Sequence, residues 1–161
     1  MALTPEQQLI VKNYIANDSF LNGQPSDGDG LGIIRDHLNA IASPAFVVWK
    51  TAATTEEYRQ SILETAGAAT QLDALTGSKR DSLLWVVSAS TRPSIPATRS
   101  AIDDFCGSQN TLKGALASVH KRAARVIEKI LSTGTGSDAA PATMGYEGTV
   151  DNNDVDAARR S

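Results

Sequence analysis

The sequence predicts an all-α fold: a small helical domain over residues 1–132 and an extended polar C-terminal arm over residues 133–161. Three observations predict it. Apolar residues recur at spacings of three and four through most of the first part, the period of an amphipathic helix. Capping signals stand ahead of several of those stretches. The final segment, TGTGSDAAPATMGYEGTVDNNDVDAARRS, holds only Met144, Tyr146, Val150 and Val155 as large apolar side chains. They bury too little to offset the entropy of ordering that segment by itself.

The first helix is the best signalled. Thr4 caps it, Pro5 suits its first position, and Gln7 completes a capping box. Leu3, Ile10 and Tyr14 share a face. The stretch NDSFLNGQPSDGDG then reads as a turn-rich loop. A second helix is expected from about Asp29 to Ala42, on the spacing of Leu31, Ile34, Leu38 and Ile41, with Pro44 marking its end. FVVWK, Phe46 to Lys50, has the β-branched and aromatic content of a strand. No second run of similar quality offers it a partner, so it reads as a buried segment leading into the next helix.

That third helix opens at Thr54 and Glu57, another capping box, and carries Tyr58 and Ile62 to near Gly67. Ala68 to Val87 reads as helical, with a break at Thr76–Gly77 and Trp85 as its large anchor. A loop, STRPSIP, precedes a short helix from Ala97 to Cys106, closed by Gly107. The longest helix is expected from about Asn110 to Leu131. Its apolar stripe is Leu112, Leu116, Val119, Ala123, Val126 or Ile127, and Ile130; Lys113, Lys121, Arg122, Arg125 and Lys129 lie largely off it. Gly134 is placed to cap its end.

Net charge is −3, and its distribution is informative. From Thr133 on, five acids stand against two bases, which accounts for all of it; residues 1–132 carry thirteen of each sign. A neutral body is not that of a strongly basic nucleic-acid binder. No apolar run approaches the length of a membrane span. The N-terminal MALTPEQQLIVKNY has polar residues where a signal peptide needs apolar ones, so a cytoplasmic origin is expected. The lone Cys106 allows no internal disulfide.

No catalytic constellation emerges, and neither a metal nor a cofactor is expected. His37 and His120 read as partly exposed helix residues without metal-ligand spacing. Cys106, near a helix C-terminus, reads as a small core residue. Ser118 and Lys121 have Ser-x-x-Lys spacing but no companion motifs. SDGDGLG begins like a calcium loop, yet Leu31 and Leu38 occupy ligand positions. GTGSDAAP follows a helix, not a strand, so it is no dinucleotide loop.

The order LTPEQQLIVKNYIAND, LNAIASPAFVVWKT, RPSIPATRSAIDDFCG, KRAARVIEKILSTGTGSDAAPATMGYEG and DVDAARR resembles a family of small structural proteins of the tailed-bacteriophage neck. The likeness covers nearly the whole chain and is most specific from Thr133 to Gly148. It implies a head–tail connector, or adaptor, docked under the portal and linking capsid to tail. It also implies a homo-oligomeric ring of twelve subunits, contact with portal and other neck or tail proteins, transient proximity to DNA in a channel, and no membrane partner. Such a protein is made in the host bacterial cytoplasm and resides in the virion. The arm is expected to grip the partner through Met144, Tyr146, Val150, Val155, Arg159 and Arg160. The other reading is a helical nucleic-acid-binding or regulatory module that uses the basic face of the long helix.

Overall fold

The computed structural model describes residues 2–161, and among them the fold is mostly helical, with ten helices and four short strands. The strands make two two-stranded sheets: β1 (Val47–Trp49) with β2 (Lys121–Ala123), and β3 (Ser132–Thr133) with β4 (Thr143–Met144). The chain divides into two compact units. Unit 1 comprises residues 1–48 and 123–161; unit 2 comprises residues 49–122. The expected boundary at 132/133 is therefore replaced. The C-terminal segment shares a unit with the first helix.

In unit 1, α1 (Pro5–Asn17) begins as predicted: Thr4 accepts from the Gln7 backbone N–H, and the Gln7 side chain accepts from that of Thr4. α2 (Ser19–Asn22) is a single turn within the expected loop, capped by the Asp18 carboxylate. α3 (Gly28–Asn39) buries Ile34 and Leu38. It ends before Ala42 because the chain there turns to other partners. Ala42 N–H donates to the Ala124 carbonyl at 2.9 Å, and the Ala40 carbonyl accepts from Val126 N–H at 2.9 Å.

Those same bonds divide the expected long helix. α8 (Asn110–Val119) keeps the predicted stripe, with Leu112, Leu116 and Val119 buried. Then β2 intervenes, and helix resumes only as α9 (Val126–Ile130). Ala124 N–H donates to the Phe46 carbonyl at 2.8 Å instead of continuing a helical ladder. Lateral pairing with residues 40–46 has overridden local propensity. FVVWK accordingly holds a strand, β1, because its partner lay hidden in a helical pattern. Ala123, expected in the buried stripe, is exposed.

The C-terminal segment is not an extended arm. α10 (Asn152–Arg160) packs against α1 and α3. Tyr146, Val150, Val155 and Ala158 join Leu3, Val11, Ile34 and Leu38 in one apolar core. Between α9 and α10 the backbone is tied to the rest of unit 1 at several points. Gly136 O accepts from Val47 N–H at 2.7 Å, Ala142 N–H donates to Val47 O at 2.9 Å, and Gly145 N–H donates to Leu131 O at 2.9 Å. Gly136 has φ +65° and lies under the Phe46 ring, which a Cβ would meet at 2.1 Å. These bonds satisfy part of the segment's polar backbone, and Tyr146, Val150 and Val155 suffice as apolar anchors because each is almost fully buried.

Unit 2 is a cluster of α4 (Thr55–Glu64), α5 (Ala68–Asp73), α6 (Gly77–Val87), α7 (Pro96–Cys106) and α8. The Thr54–Glu57 capping box forms as predicted. Its core holds Tyr58, Leu83, Ile102, Cys106, Leu112 and Leu116. Polar ties fix the helices. Ser61 Oγ donates to Ala115 O at 2.6 Å, and Gln71 Oε1 accepts from Leu112 N–H at 2.9 Å.

Candidate functional site

The six residues expected to grip a partner do not form a free surface. Val155 is 1% exposed. Tyr146 is buried, with its hydroxyl donating to Thr149 O at 2.7 Å. Val150 exchanges two 2.9 Å hydrogen bonds with the Asn39 side chain. Met144 is half-buried in β4. The Arg159 guanidinium donates to Gln24 O and Pro25 O, which ties the last helix to the loop before α3. Arg160 is exposed and pairs with Asp156 at 2.5 Å. The structure thus brings Tyr146, Val150 and Val155 together as core members of unit 1.

The basic residues expected on one helix are also separated. Lys113 stands on α8, Lys121 and Arg122 in β2, and Lys129 on α9. Ser118 and Lys121 therefore share no helical face. Ser118 Oγ donates to Ala115 O at 2.7 Å and lies 3.2 Å from Ser61 Oγ.

Large apolar residues are exposed on both units: Phe20 and Ile41 are each 62% exposed on unit 1, and unit 2 adds an apolar cleft. α4, α5 and α6 enclose a cleft of about 440 Å³ whose walls include Tyr58, Ile62, Leu63, Leu72, Leu84 and Val87. Leu63 is 69% exposed at its rim. On α6 the adjacent Trp85 is 78% exposed, not the anchor the sequence led one to expect. The signal was present in LLWVV. Five consecutive apolar residues at 100° per residue cover the whole circumference of a helix, so part of the run must face outward. Leu83 and Val87 take the core side.

Two buried groups complete the chemistry of unit 2. Cys106 is buried as expected, and burial pushes its thiol pKa up to about 11. His120, expected to be partly exposed, is 2% exposed because the end of α8 turns inward. Its ring meets Tyr58 edge-on with centroids 5.7 Å apart, and its Nε2 has no hydrogen-bond partner. Burial lowers its pKa to about 4, opposed by Asp103 and reinforced by Arg99 and Lys50. In unit 1, His37 Nε2 lies 3.1 Å from the Tyr14 hydroxyl. Among the described residues no group of His, Cys, Asp and Glu could hold a metal ion, and no helix is long and apolar enough to cross a membrane.

No family model, curated protein or solved structure matches the chain.

Proposed function

We propose that this chain is a structural adaptor of the tailed-bacteriophage neck, docking under the portal as one subunit of a homo-oligomeric ring and linking capsid to tail. The resemblance in sequence order supplies the neck. The observation that carries a protein-binding role is the open apolar cleft between α4, α5 and α6, with Leu63 and Leu84 exposed beside it. Contiguous exposed apolar surface marks protein interaction sites. Attachment through residues 133–161 would require extracting Tyr146, Val150 and Val155 from the core of unit 1. We therefore assign the portal contact to the cleft of unit 2. The ring repeats that contact in every subunit, so weak individual contacts add to firm attachment. The reading places the protein in the virion after synthesis in a bacterial cytoplasm, with twelve copies expected from the resemblance.

Mass measurement of the purified protein, alone and mixed with portal rings, tests this. A complex carrying many copies per portal is expected, and Leu63→Asp with Leu84→Asp should abolish it while leaving helix content unchanged. Failure to associate with portal at any ratio, or full association of the double variant, would contradict it. The regulatory or nucleic-acid reading through one basic helix loses its basis, because Lys113, Lys121 and Lys129 lie on three separate elements.

A further inference from the structure

We propose that unit 2 carries a nucleotide-binding cleft at the turn between α6 and α7, where the exposed indole of Trp85 and the guanidinium of Arg92 take a base and a phosphate of single-stranded nucleic acid. This site adjoins the cleft assigned to the portal, with Ser88 at the edge of both, and it stands whether or not the chain is a neck protein.

Two hollows meet there and share Ser90, Arg92 and Ile95. One, of about 610 Å³, has walls of mixed character that add Thr51, Ala52 and Ser94. The other, of about 360 Å³, adds Trp85 and Val86 from α6 and Thr98 from α7. Arg92 is the single charged residue in either lining, so no carboxylate competes with an incoming anion. Among the described residues it has no ion pair. A planar guanidinium beside the hydroxyls of Ser90 and Ser94 matches the donor pattern that phosphate oxygens accept.

Trp85 supplies the second half of the recognition. Bases stack on an open aromatic face whatever their identity, and such platforms beside phosphate-binding cations are how single strands are held. A duplex hides its base faces, so a single strand is the form that fits. The chain as a whole is acidic, but unit 2 is not. It has nine Lys and Arg against seven Asp and Glu, a net of +2. Unit 1 holds the remaining six bases and eleven acids, a net of −5.

The turn is preorganised. Ala53 and Thr91 exchange backbone hydrogen bonds at 2.9 and 3.0 Å, Ser94 N–H donates to Lys50 O at 2.8 Å, and Ile95 N–H donates to Arg92 O at 3.0 Å. The buried Thr91 hydroxyl lies 2.7 Å from that of Tyr58. Arg92 and Trp85 thus project from a fixed frame, and binding orders little backbone.

The test uses the full chain and a labelled oligothymidylate, with fluorescence anisotropy as the readout at about 50 mM salt, where phosphate contacts are strongest. Saturable binding is expected, weakening as salt rises. Trp85→Ala and Arg92→Gln should each weaken it about tenfold, the scale of one lost stacked base or charge contact. Both residues are exposed, so both variants should keep the wild-type circular dichroism and melting temperature. Competition by thymidine monophosphate with the same dependence on Trp85 and Arg92 would assign the site to free nucleotides; binding by the strand alone would assign it to nucleic acid. Absence of binding by strand and mononucleotide alike, or undiminished binding by both variants, overturns the proposal. So does a Trp85→Ala protein that binds the strand normally but loses a protein partner.

Discussion

The Glu128 carboxylate, fully buried in unit 1, accepts the backbone N–H of Gly148 at 3.1 Å. Its other oxygen accepts Arg125 N–H at 2.9 Å, and the Arg125 guanidinium lies 3.9 Å away. One side chain on α9 thus satisfies the start of its own helix and holds the loop that leads into α10. A buried carboxylate is tolerable only when its lone pairs are occupied in this way.

Glu128→Ala should therefore destabilise unit 1 by about 2–5 kcal/mol, because it strands two backbone donors and opens a cavity. Urea denaturation followed by circular dichroism would measure it. A loss below about 0.5 kcal/mol would show that water replaces the carboxylate freely.

His120 predicts a pH dependence confined to unit 2. Its folded pKa, about 4, lies below the ordinary 6.5, so the unfolded chain binds the proton first as pH falls. Its contribution is complete above about pH 6.5, declines between there and about pH 4, and then levels off, with a total of about 3 kcal/mol at most. The groups facing it are Asp103, Arg99 and Lys50. Comparing denaturation of the wild type with His120→Asn at pH 7 and pH 4.5 isolates this effect. A stability difference between the two proteins that does not change with pH would contradict the assignment.

Deleting residues 135–161 should unfold unit 1. The deletion removes Tyr146, Val150, Val155 and Ala158 from its core, and the N–H donors of Ala142, Gly145 and Gly148 with them. Loss of the α1 and α3 helical signal is expected, with exposure of apolar surface to a reporter dye. A truncated protein that melts like the full chain would mean the segment is an appendage.

What could be read from sequence was local. The Thr4–Gln7 and Thr54–Glu57 boxes specify helix starts within four residues, and both form as read. The Thr76–Gly77 break separates α5 from α6 as expected. Pairing was not legible, because β2 carries a helical apolar pattern and becomes a strand only against β1. The tail was misread through its composition. DNNDVDAARR opens with a capping box from Asp151 to Asp154 and closes with Arg159 and Arg160, a helix with charges suited to its dipole. Sparse apolar content obscured that signature. The exposed apolar face was missed because Trp85 reads as the large anchor of its helix, though LLWVV cannot place five consecutive residues on one side of a helix.

Residues 133–161 pack as part of unit 1, and the proposal of a partner contact on unit 2 rests on their doing so in the free protein. Amide hydrogen exchange on the isolated chain measures this directly. Val155 and Ala158 in α10, and the N–H of Gly145 and Gly148, should exchange as slowly as Val11 in α1. Exchange of those amides at the rate of an unfolded peptide, with α1 still protected, would contradict the account and restore the free arm.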